Sequence, residues 1–237
     1  MQGNKGRVMR KVLLFIAIFV FTRYVAAQTK AVVPTDAWQP PQNLVATANK
    51  VCGNPADGRR YADCFMAQMA KAGAPSGAVG FTREFYKENH GEIAILTRVN
   101  QAGKINVGWV VYPLHQPSNY GLFLVNGDPT FVNTEDIRAL DQKGMEQSYQ
   151  FQALKSLFPK VTLYPGNRDG RTWPNPEMGT EGWTFIVGYP LRNGCPTCSN
   201  AGNALFAWKF NSSGRFIGTS FQGLTPAPLT SPVSSPQ

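Results

Sequence analysis

The feature that most restricts this chain is a set of three alternating segments near its C-terminal end. Trp183, Phe185, Val187 and Tyr189 recur at every second residue, Ala204, Phe206, Trp208 and Phe210 do the same, and Ile217 and Phe221 continue the pattern. Residues two apart share one face of a strand, so each segment carries a bulky face that has to be buried against another layer. Asn211-Ser212-Ser213-Gly214 offers turn chemistry between the second and third segments. Asn211-Ser212-Ser213 also matches a glycosylation acceptor formally, but the spacing favours the hairpin turn.

Similar alternation occurs earlier. Ile93, Ile95 and Val99 alternate against Glu92 and Arg98, and Ile105, Val107, Trp109 and Val111 alternate against Lys104 and Asn106. The link 100–104 contains a glycine suited to a short hairpin loop, which predicts an antiparallel pair. Residues 119–125 supply a third strand and 126–129 a turn, and 161–164 read as a further short strand.

Helical spacing dominates before and between these strands. Leu44, Ala48 and Cys52 recur at i, i+4 and i+8, and a second stripe runs through Tyr61, Cys64, Phe65, Met69 and Ala72. Phe81 and Phe85 mark a short helix, and 134–158 read as helical with a break near Gly144 and a start capped by Thr134 or Asp136. Cys52 and Cys64 thus fall on neighbouring helices joined by a short turn, which suits a disulfide. The pattern predicts an α+β domain: an antiparallel sheet of hairpins, an N-terminal disulfide-linked helical hairpin, and a helix between two groups of strands.

The ends have different compositions. Lys5, Arg7, Arg10 and Lys11 precede an unbroken apolar run of ten residues, Val12–Phe21, and small residues follow up to Ala27. This is the layout of a secretory leader over 1–27; an uncleaved anchor is the alternative, but the run is well short of the roughly 20 residues that span a bilayer. Five of the 23 Lys and Arg would leave with the leader and all 14 Asp and Glu would stay, so the +9 precursor becomes 18 − 14 = +4. The remaining basic residues are scattered, which argues against a nucleic-acid surface. Residues 28–40 are expected to be extended, 41–224 to form one domain, and the Pro/Ser/Thr-rich 225–237 to be a disordered tail. The product expected is soluble, periplasmic or secreted, with no membrane span once the leader is removed.

Cys195-Pro196-Thr197-Cys198 is the one motif with catalytic overtones. A thioredoxin-like dithiol needs a helix starting at the motif to favour the thiolate, and here alternating aromatics follow instead. A zinc site built from all four cysteines is conceivable, but thiols pair in an oxidising compartment. A local disulfide in an inter-strand loop is the main expectation, and thiol-disulfide exchange at Cys195 and Cys198 is the alternative. No cofactor or metal is implied.

Other candidates are weaker. His90 and His115 belong to no His-Glu-x-x-His pattern, and no Gly-x-Ser-x-Gly elbow or P-loop occurs. Glu84 and Glu88 share a predicted helix face, but Arg83 and Lys87 beside them suggest an ordinary solvated surface. The long 165–182 loop places Arg168, Arg171 and Trp173 close together, and a rigid ring beside guanidinium groups can engage peptide, glycan or acidic groups. Alternatively, Trp173 covers one end of the sheet.

Three segments, "MAKAGAPSGAVGFTREF", "INVGWVVYPLHQPSNYGLFLVNGDP" and "FIVGYPLRNGCPTC…GNALFAWKFNSSGRFIGTSF", together resemble exported proteins of unassigned function in Gram-negative bacteria. The resemblance covers most of 60–222. It implies a periplasmic setting and carries over no site. The expected role is non-catalytic binding of an envelope protein, peptide or glycan.

Overall fold

The computed structural model describes residues 32–115, 119–165, 174 and 176–227. The expected leader, residues 28–31 of the extended segment and the tail from 228 onward lie outside them. Three helices come first: α1 (Leu44–Cys52), α2 (Arg59–Lys71) and α3 (Ser76–Glu88). They precede an antiparallel sheet of β1 (Ile95–Ala102), β2 (Ile105–Tyr112), β3 (Asn119–Val125) and β4 (Phe131–Asn133), in that spatial order. Two short helices, α4 (Gln142–Gln147) and α5 (Tyr149–Leu157), lead to a second antiparallel sheet. It contains β5 (Val161–Leu163), β6 (Pro176–Gly179), β7 (Gly182–Asn193), β8 (Asn200–Asn211) and β9 (Phe216–Pro226). Its order is β5-β7-β8-β9, and β6 shares with β5 the edge of β7.

The α+β class agrees with the sequence pattern, and the strands divide between two sheets because each has a face to bury. Ile105, Val107, Trp109, Leu122 and Leu124 of the first sheet share one core with Phe185, Val187, Tyr189, Phe206, Trp208 and Phe210 of the second. Burying one such side chain is worth roughly 1.5–3 kcal/mol, so this shared layer is the main favourable term. On the other side of the first sheet, Val110, Phe123 and Val125 pack with Phe81 and Phe85 of α3. The α1–α2 hairpin adds a further cluster around Phe65 and Met69. Cys52 and Cys64 are disulfide-bonded across it with Cα atoms 5.6 Å apart.

A buried polar chain crosses the shared core. The Trp208 Nε1–H donates to the Tyr189 hydroxyl at 2.9 Å, and that hydroxyl donates to the Thr134 carbonyl at 2.7 Å. The Thr134 hydroxyl in turn donates to the Leu122 carbonyl at 2.8 Å. These bonds link β8, β7, the end of β4 and β3. Each indole or phenol polar atom buried here has a partner, as low-dielectric surroundings require.

The β8–β9 turn forms as its composition predicts. The Asn211 side-chain oxygen accepts from the Ser213 N–H, the Ser213 hydroxyl and the Arg215 N–H, so that amide is engaged within the hairpin. The helical stretch after β4 differs from the simple pattern. Its break falls at Ser148, whose hydroxyl caps α5 by accepting from the Phe151 N–H at 3.1 Å. Gly144 lies inside α4 for a steric reason: an added methyl would collide with the Asp141 carboxylate, which caps that helix through the Gly144 N–H. Asp136 caps a single 3-10 turn at Ile137–Ala139.

Three main-chain donors on the outer edge of β9 are engaged. The Phe216 N–H donates to the Asp128 carbonyl, the Phe221 N–H to Asp141 Oδ2 and the Leu224 N–H to Gln150 Oε1. Residues 32–40 form no helix or strand but contact the first sheet, where the Trp38 N–H donates to the Leu96 carbonyl and the Val33 backbone pairs with the Asn126 side chain. Asp36 lies where a side chain at Gly77 of α3 would sit, which explains that glycine.

Tyr189→Phe keeps the ring and removes the hydroxyl, leaving the buried Trp208 N–H without its acceptor. The expected cost is about 1–3 kcal/mol in urea unfolding, with strand content unchanged by circular dichroism. Burial also pushes the Tyr189 phenol well up, against a smaller opposing effect of the Trp208 hydrogen bond. A phenol with a raised folded pKa contributes stability that is fully present below the unfolded value of about 10 and is lost as pH rises through the folded value. Urea midpoints are therefore expected to fall above about pH 10, with a shallower fall in Tyr189→Phe.

Candidate functional site

The second sheet has two unlike faces. Phe185, Val187, Tyr189 and Leu191 of β7 point into the shared core, so Thr184, Ile186, Gly188, Pro190 and Arg192 point the other way. The register aligns them with neighbours on β8 and β9. Thr184 lies beside Lys209 and Gly218, Ile186 beside Ala207 and Ser220, Gly188 beside Leu205 and Gly223, and Pro190 beside Asn203 and Thr225. Helices cover the outer side of the first sheet, whereas among the described residues no helix or strand is layered over this side of the second.

Its chemistry is uneven. Ile186, Pro190, Leu205 and Ala207 form an apolar centre, of which Ile186, Pro190 and Leu205 are half-buried and Ala207 is buried. Neutral side chains of Ser220, Asn203 and Thr225 extend it on one side. Charge lies only at the two ends: Glu177, opposite Thr184, and Lys209 at one, Arg192 at the other. Small residues at Gly188, Ala207, Gly218, Ser220 and Gly223 make the surface flat.

Arg168, Arg171 and Trp173 lie outside the described residues. The ends of their loop are placed, however. The Tyr164 N–H donates to the Pro190 carbonyl at 3.0 Å, and Pro176 pairs with Phe185, so the loop leaves and returns along the same edge of β7. The last part of the 165–182 stretch is not a loop: Pro176–Gly179 forms β6 and pairs with Gly182–Phe185. Its composition shows no alternation because β7 supplies the order.

Cys195 and Cys198 are disulfide-bonded, with Cα atoms 5.0 Å apart, at the tip joining β7 to β8. Strands stand on both sides, and no helix begins at either cysteine. Backbone hydrogen bonds hold the tip independently, from the Cys198 N–H to the Cys195 carbonyl and from the Asn193 N–H to the Ser199 carbonyl. In the chain-entropy model a link three residues apart stabilises by about 2 kcal/mol, against about 3 kcal/mol for the separation of 12 at Cys52–Cys64.

The remaining candidates are not brought together. His90 is exposed in the turn after α3, and His115 stacks on Tyr112 with ring centroids 5.1 Å apart. Burial, and then Glu92 and Glu135, push the Tyr112 phenol up. Glu84 pairs with Lys87 at 2.6 Å, and Glu88 accepts from the Thr130 hydroxyl at 3.3 Å, so those two carboxylates serve separate contacts. Among the described residues no group of three His, Cys, Asp or Glu is placed to hold a metal ion. No protein-family model, curated protein or solved structure matches the chain.

The open face was missed in the sequence because alternation identifies a buried side without saying what meets the other. The available signal was its content: Ile186, Leu205 and Ala207 stand where a solvated face would carry charge. Two neighbours on β8 separate the faces. Phe206→Ala is expected to cost about 3–5 kcal/mol in urea unfolding. Leu205→Gln should stay within about 1 kcal/mol of wild type, as a residue outside the shared core.

Proposed function

We propose that this is an exported binding protein of the cell envelope that engages a flat, uncharged segment of another envelope protein through the open face of the second sheet. The observation that carries this reading is the contrast between the two outer faces among the described residues, one layered with helices and one with an apolar centre over which no described helix or strand is layered. A continuous apolar patch with a polar rim is what protein interaction sites present. The neutral centre selects an uncharged occupant, because an ion pressed against it would lose water without gaining a partner. Flatness favours another sheet or an extended strand over an inserted side chain. Arg168, Arg171 and Trp173, the contact residues expected from the sequence, are proposed to extend the contact.

Export is supported by the basic and apolar N-terminal residues and by two closed disulfides, which persist in oxidising compartments. No helix among the described residues is long and apolar enough to cross a membrane.

The test places a photo-crosslinking residue at Leu205 and, as control, at exposed Tyr149 on α5, in cells expressing the protein. A discrete product at position 205 that disappears in Gly188→Glu and weakens in Trp173→Ala supports the reading. Equal products at both positions, or none at 205, overturn it. Sedimentation equilibrium covers the remaining occupant: a dimer broken by Gly188→Glu would mean that the face meets a second copy.

A further inference from the structure

We propose that Cys195–Cys198 is a thiol-disulfide exchange site, with a dithiol as co-substrate, carried on a hairpin tip whose fold does not depend on it. This stands apart from whatever covers the open face. Three observations carry it. The β7–β8 hairpin is fixed by pairing from Gly182 with Asn211 through Leu191 with Gly202, and its tip by backbone hydrogen bonds, so opening the S–S link leaves the ladder in place. Both sulfurs belong to half-exposed residues flanked by exposed Gly194, Pro196, Thr197 and Ser199, which gives an incoming thiolate access. The two sulfurs also differ, because the Thr197 hydroxyl lies 3.5 Å from Cys195 Sγ. A disulfide sulfur has no proton to give, so the hydroxyl is the donor.

That asymmetry sets the direction of attack. The better leaving sulfur is the one whose developing negative charge is stabilised, and this is Cys195. A thiolate of the donor dithiol attacks Cys198 Sγ, the S–S bond breaks, and its electron pair goes to Cys195 as thiolate. The donor's second thiolate then attacks its own sulfur in the mixed disulfide and releases Cys198. Two electrons pass from the donor, which leaves as a disulfide, and the two cysteines take up the two protons the donor gave up. The reverse sequence oxidises a dithiol.

The folded protein is treated with dithiothreitol without denaturant, quenched with an alkylating agent and mapped by peptide mass spectrometry. Cys195 and Cys198 should be labelled at least about tenfold faster than Cys52 and Cys64, with circular dichroism unchanged. Thr197→Val should slow this reduction about fivefold, the loss expected for one hydrogen bond. In the single variants, Cys195 of Cys198→Ser should react with iodoacetamide with a lower pH midpoint than Cys198 of Cys195→Ser. Reduction only in denaturant, loss of strand signal on reduction, or a reversed order of the two midpoints would each overturn the proposal.

Discussion

The two sheets are held in one arrangement by the hydrogen bonds that run from Trp208 through Tyr189 to Thr134. Apolar contact between the sheets supplies most of the favourable free energy, but it is tolerant of sliding, whereas a buried donor without its acceptor is not. One phenol that must accept from β8 and donate to the end of β4 therefore sets how the sheets lie on each other. That arrangement determines which side of β7 and β8 is inside, and so which side is left outside.

Everything of functional interest here belongs to the second sheet. The open face, the two anchors of the 165–175 loop and the Cys195–Cys198 tip all depend on β7, which has β5 and β6 on one edge and β8 on the other. The first sheet and the helices support it. Cys52–Cys64 fastens the helical layer, while the second disulfide spans a turn that backbone hydrogen bonds already close. Two links of the same kind thus serve different ends according to what they close.

Much of the fold was legible because period is a local property. The aromatic alternation in 183–210, the β1–β2 hairpin and the paired stripes that bring Cys52 to Cys64 each follow from residues near one another in the chain, whereas Ile217, read as a core position, is exposed where the β8–β9 register shifts. Where structure depended on distant partners, the pattern was silent. Pro176–Gly179 becomes a strand only because β7 offers an edge, and Gly144 looked like a helix breaker although its role is to leave room for the Asp141 carboxylate. The division into two sheets was hidden for the same reason: alternation tells that Trp109 and Trp208 are each buried, not that they are buried together. At the site, the cysteine pairing was readable from spacing, while the open face needed the register that aligns Ile186 with Ala207 and Gly188 with Leu205.

The occupied margin of β9 has a consequence for how molecules of this protein can meet. Asp128, Asp141 and Gln150 take the Phe216, Phe221 and Leu224 main-chain donors of that strand, so a neighbouring chain that tried to extend the ladder would have to displace them. Lateral growth into fibres is disfavoured on that side.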